Sequence, residues 1–189
     1  MTPSQLHDGD AFIYMKVGVH AKESLEDILQ RKRREIAEAG VSFWGYGGNT
    51  CHPLNAVQPF VRDKIAGGSV VRLLMEEIDS HHFAEQIRAE YYSENGVDWV
   101  EIPKAINVLG SRYALVVDTL EDANISLELD ETRVGVGRLA GKVGSEYIRG
   151  RVDKACLVYS PAQPGLAHGP EVTLKLAARL AKPYAVLLK

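Results

Sequence analysis

The sequence predicts an α+β fold, a mixed and mostly antiparallel sheet with two or three helices packed on it. Three observations lead there. Segments rich in β-branched and aromatic residues outnumber helical patterns along the 189 residues. They do not alternate regularly with helices, as a doubly wound parallel sheet would require. One segment carries an Asn-Gly pair between aromatic runs, the signature of an antiparallel hairpin.

The elements follow in order. Residues 1–10 are polar and read as a loose lead-in to a single domain spanning 1–189. Residues 12–19 form an almost uninterrupted apolar run, as a strand covered on both faces would. Ser24 then opens a helix, with its hydroxyl as the cap and Asp27 completing a variant capping box. Leu25, Ile28, Leu29, Ile36 and Ala39 make its apolar stripe, and Gly40 ends it in the left-handed conformation. The basic run Arg31, Lys32, Arg33 and Arg34 reads as a solvated face balanced by Glu35 and Glu38.

Residues 41–44 predict a second strand, and 58–66 a short helix started by Pro59 and ended by Gly67 and Gly68. Residues 70–78 read as a strand, with helix competing because Leu, Met and Glu are frequent there. Asn95-Gly96 as a two-residue loop would set Tyr92 opposite Trp99 and Tyr91 opposite Val100. Strands are expected at 113–117, 125–129 and 152–159. Gly169-Pro170-Glu171 predicts a helix with Val172, Leu176, Ala177 and Leu180 on one face, stopped by Lys182-Pro183 and followed by a final strand at 184–188.

Composition narrows the function. With 25% charged residues, a net charge of −3 and a pI near 6.1, the chain lacks the basic surplus expected of a duplex nucleic-acid binder. No apolar run is long enough for a membrane helix, and the first residues lack a signal-peptide pattern. Two cysteines make no disulfide scaffold. The expectation is a cytoplasmic protein, with a homodimer as the commonest assembly.

The loop from Phe43 to Pro53 is the densest in informative residues. Gly45, Gly47 and Gly48 permit close backbone approach to a ligand, and successive amides there can cradle an anion. Trp44 and Tyr46 offer flat faces, and Asn49, Thr50 and His52 offer short polar groups. The competing reading is plain packing of rings over glycines. It is no P-loop, since the Gly-Lys-Ser/Thr ending is missing. Cys51 beside His52 is not itself a nucleophile–base pair, because neighbours on an extended chain point apart. A catalytic Cys51 would need His20, His81, His82 or His168. No metal-ligand spacing is present, so neither a metal nor another cofactor is expected. Cys156 reads as core, His81-His82 as a polar strand end, and Asp118, Glu121 and Asp122 as a hydrated turn. Residues 135–141 miss the dinucleotide fingerprint by one position and read as a turn before a short helix.

Arg112, Arg149 and Arg151 are candidate phosphate contacts, with Arg149, Arg151 and Asp153 on one face if the strand begins that early. Together these residues predict a binding protein for a compact anionic, ring-bearing ligand, a nucleotide or nucleotide-derived signal, acting as a sensor or a sequestering sponge. An alternative is a hydrolase or transferase on a phosphoester, using His52 and Cys51. A third reading is an interaction module built on the Tyr91, Tyr92 and Trp99 hairpin.

Overall fold

The computed structural model describes residues 5–46, 52–148, 152–161 and 169–189. The fold is α+β, a mixed sheet of mostly antiparallel strands with three helices among the described residues. In chain order the elements are β1 (Ala11–His20), α1 (Leu25–Ala39), β2 (Ser42–Gly45), α2 (Leu54–Ala66), β3 (Arg72–His82), β4 (Tyr91–Ser93), β5 (Val100–Glu101), β6 (Tyr113–Val117), β7 (Glu121–Glu128), β8 (Thr132–Val134), α3 (Gly144–Tyr147), β9 (Lys154–Tyr159) and β10 (Glu171–Leu188). A single 3-10 turn, Leu129–Glu131, joins β7 to β8.

The main path of the sheet is β2-β6-β10-β3-β1-β9-β8. β1 and β3 pair in parallel, with Ile13 opposite Leu73 and Met15 opposite Met75. The crossover between them holds α1, β2 and α2, long enough for the return a parallel pair needs. Every other described strand pairing is antiparallel.

Alternation along β1 explains its apolar run. Ile13, Met15 and Val17 face the helices, where they join Trp44, Leu73, Val57 and Val61 in one cluster. Phe12 and Tyr14 face the opposite side and meet Ile125, Leu127, Leu157 and Leu174. A strand buried on both faces has no polar side to show. A third cluster, around Phe43, Ile106, Val116 and Val186, lies behind β6 and the end of β10.

The helix expected over 169–181 is a strand. β10 runs for 18 residues, straight through Pro183. Its first part is flanked by β7 and β3, and its last part by β6 and β4. Leu, Ala, Lys and Arg favour helices, but Leu174, Leu176 and Leu180 are buried while Thr173, Lys175 and Arg179 are exposed. That is period two. Backbone partners on both edges outweigh intrinsic preference. Pairing with β6 is interrupted between Leu180 and Ala185, and Gln58 of α2 fills the gap by donating to the Ala185 carbonyl at 2.6 Å.

Four smaller expectations also change. α2 begins at Leu54 and holds Pro59 inside it, so Pro53 and not Pro59 precedes the first turn. The hairpin register is Tyr92 opposite Val100 and Tyr91 opposite Glu101. Ser93 Oγ accepts the Gly96 amide, and Asn95 Oδ1 accepts those of Val97 and Asp98. These side-chain bonds build a longer loop than the two-residue turn. Arg31 and Lys32 are not a solvated face, since Lys32 is buried and Arg31 half-buried. Finally β9 starts at Lys154, so Asp153 lies before it, and Arg149 and Arg151 fall outside the described residues.

Candidate functional site

A cavity of about 750 Å³ opens where the end of β1, the first half of α1, β2, the entry to α2 and residues 107–113 converge. It falls on the helix-covered side of the sheet. Its position follows from local chemistry that can be traced element by element.

β1 ends in a tight turn. His20 and Glu23 bridge across Ala21 and Lys22, which take φ values of 49° and 64°. Two successive left-handed residues make the turn that matches strand twist, at a cost of about 1–3 kcal/mol each for side chains other than glycine. The turn brings Glu23 beside Arg31, at 2.6 Å, and places Ser24 to cap α1. His20 Nε2 donates to the Leu109 carbonyl at 3.0 Å, because a carbonyl can only accept.

On α1, Glu35 is the organising group. Its carboxylate accepts from Arg31 at 3.1 Å, Lys32 at 3.1 Å, the Asn107 amide at 3.0 Å and Ser42 Oγ. Arg31 and Lys32 also donate to the Asn107 carbonyl. The network joins α1 to β2 and to the 107–113 segment and holds both cations in the cavity wall. Burial pulls the Lys32 ammonium pKa down to about 8, against the opposing pull of Glu35.

Trp44 of β2 and Tyr46, just past the strand's end, lie on the same side and join one core cluster. Trp44 borders the cavity and is 5% exposed. Tyr46 is fully buried against Tyr113, with ring centroids 5.1 Å apart, and is not part of the described wall. Between them Gly45 leaves no room for a Cβ, which would run into the Ser111 side chain. The absent side chain is thus a packing requirement between β2 and the segment beside β6.

His52 sits at the entry to α2 and is buried in the cavity wall. Its ring stacks on Tyr147, centroids 5.2 Å apart and planes within 6°, and its carbonyl accepts from the Tyr113 hydroxyl. Burial lowers its pKa below the ordinary 6.5, so the ring is held neutral. His52 Nε2 and Asn107 Oδ1 are buried without a hydrogen-bond partner among the described residues, and both residues line the cavity. Orphaned polar atoms of this kind are uncommon in folded proteins.

Of the residues singled out from sequence, Trp44, Gly45, His52 and Arg112 come together in this wall. Gly47, Gly48, Asn49, Thr50, Cys51, Arg149 and Arg151 lie outside the described residues. The hairpin does not reach the cavity. Tyr92 packs edge-on against Phe43, and Lys189 lies 4.4 Å over the Trp99 ring. Cys156 is fully buried, which pushes its thiol pKa up. Lys16, His20, Arg31, Lys32, Asn107 and Lys154 also line the cavity, and sequence reasoning did not place them there.

No family model, curated protein or solved structure matches this chain. The site must therefore be read from its own chemistry. Its described wall holds five cationic residues, Lys16, Arg31, Lys32, Arg112 and Lys154, two histidines, and no aspartate or glutamate. Glu23, Glu35 and Asp153, which are not among the lining residues, pair with Arg31, Lys32 and Lys154. Lys16 and Arg112 have no carboxylate partner among the described residues. Among the described residues no group of three or more His, Cys, Asp or Glu is placed to hold a metal, and no helix is long and apolar enough to cross a membrane.

Proposed function

We propose that the chain binds a compact anionic, ring-bearing small molecule in this cavity, with a nucleotide or a nucleotide-derived signal as the ligand class. The observation that carries the reading is the wall itself: five cationic residues and no described carboxylate line a space of about 750 Å³, within the range of small-molecule sites. Cationic residues gathered around a recess favour an incoming anion. Arg112, lacking a carboxylate partner among the described residues, supplies surplus charge, and an arginine suits phosphate through paired donors. His52 Nε2 and Asn107 Oδ1 supply polar contacts still in need of a partner. On this reading the protein holds its ligand, as a sensor or a sequestering sponge.

The test is direct. Small molecules released from the denatured protein are analysed by mass spectrometry, and the apo protein is titrated with a nucleotide panel in a Trp99→Phe background that leaves Trp44 as the reporter. A ligand recovered unaltered, with saturable quenching of Trp44, supports the reading. No heat and no change in fluorescence across the panel overturns it.

A second reading rests on His52. A neutral imidazole with an unpaired Nε2 in a cationic cavity is placed to take a proton during hydrolysis or transfer of a phosphoester. Turnover of a bound nucleotide that disappears in His52→Ala, with folding and binding intact, favours this reading over sequestration.

A further inference from the structure

We propose that Phe83 is the ring-stacking residue of the cavity, closing on the flat part of the ligand whose charge the cations hold. The inference rests on the binding reading above and names the residue that recognises the ring.

Three aromatic side chains other than histidine line the described wall: Trp44, Tyr113 and Phe83. Trp44 is 5% exposed and Tyr113 is 8% exposed, so neither has much free face to offer a ligand. Phe83 is 100% exposed, although it belongs to the same wall. A phenyl ring left wholly in water gains free energy from whatever covers it. At the rim of a cationic recess, a planar ring attached to an anion is the partner that satisfies both features.

The segment carrying Phe83 is held at its base. The Gly110 amide donates to the Ile87 carbonyl at 3.0 Å, and the Ala89 amide to the Val108 carbonyl at 3.1 Å. Arg88 donates to the Ile106 carbonyl at 2.8 Å and bridges to Leu109. Gly110, with φ +58°, lies so close that a Cβ would sit 2.6 Å from Ala84 Cβ and 2.8 Å from the Glu85 carbonyl oxygen. The strap is thus clamped against the same 107–113 segment that carries Asn107 and Arg112. Phe83, one residue before the clamp, has its foot fixed and its ring free, the arrangement for closing over a bound ring with little backbone rearrangement.

The experiment compares ligands with and without a ring. Binding of the four nucleoside 5′-monophosphates and of ribose 5-phosphate is measured by calorimetry for the wild type, Phe83→Ala and Phe83→Trp. The expected result is that Phe83→Ala weakens nucleotide binding about tenfold or more, the scale of losing one base–aromatic stack, while ribose 5-phosphate binding is unchanged. Phe83→Trp should keep or improve nucleotide affinity. Phe83 is solvent-exposed, so the substitutions should leave the fold intact, which circular dichroism checks.

If the wild type binds nucleotide and Phe83→Ala binds it equally well, Phe83 has no stacking role and the cavity reading stands without it. If the wild type binds neither class of probe, the cavity reading fails and takes this inference with it. If sedimentation shows a dimer that Phe83→Ala converts to a monomer, Phe83 covers a second copy of the chain and the stacking assignment is wrong.

Discussion

Two single residues in the cavity wall have effects that can be measured without knowing the ligand. His52 is held neutral by burial, below its ordinary pKa of 6.5. As pH falls, the unfolded chain takes up a proton at this position before the folded one does. Stability contributed by the neutral ring is therefore present above about pH 6.5 and is lost as pH falls through the folded-state pKa. The urea midpoint should drop more between pH 7.5 and 5.5 in the wild type than in His52→Gln, and equal drops would show that the ring titrates freely. Gly45 is the second. Gly45→Ala should cost about 1–3 kcal/mol, because the new methyl meets Ser111 where the backbone cannot retreat. Combining it with Ser111→Ala should recover much of the loss, since the hydroxyl is the nearest obstacle and two touching sites are not additive. The sequence singled out Gly45 for close approach to a ligand, and the structure shows it packed against Ser111. That neighbour was not legible, because Ser111 is 66 positions away and nothing local links them.

At the scale of elements, α1 shows what a sequence pattern can and cannot reveal. Its cap, its end and the stripe from Leu25 to Ile36 were readable, since they depend on residues within a few positions of each other, whereas Ala39 is exposed. The stripe Leu25, Ile28, Leu29, Ile36 and Ala39 has a gap one turn wide, and Lys32 and Glu35 fall in it. Their spacing was the signal that both face inward; reading charge as exposure obscured it. Glu35→Ala should cost about 3–5 kcal/mol, because it leaves buried cations without their counter-charge. Lys32→Met combined with Glu35→Leu should cost less than Glu35→Ala alone. Thermal melts of the two variants decide whether the network behaves as one unit. β10 is the opposite case, because its conformation is set by partners contributed by distant parts of the chain. The hairpin lies between these extremes: its place was evident from Asn95-Gly96, but its register depends on the side-chain bonds of Ser93 and Asn95.

For the whole molecule, ligand binding should appear as stability. A ligand present at 100 times its Kd adds about 2.7 kcal/mol, which for a chain of this size raises Tm by roughly 5–10 °C. Differential scanning fluorimetry with nucleotides checks this. The rise should shrink when salt is increased from about 0.05 to 0.5 M, as charge–charge attraction at an open recess is screened. A rise indifferent to salt would point to a ligand held by apolar contact alone. The class of fold was legible because it depends on counts and spacings of strand-like segments. The recess was only half legible, because its walls are assembled from segments that meet only when β1, α1 and residues 107–113 come together.

β10 has one more implication, for the order in which the molecule can be made. Residues 171–188 are synthesised after β3, β4, β6 and β7, yet all four lean on them. On the ribosome those earlier ribbons must wait with bare edges until this strand emerges and slots between them. Until then such a nascent chain is exposed to wrong neighbours, so helper proteins that shield unpaired edges should raise the yield of folded product.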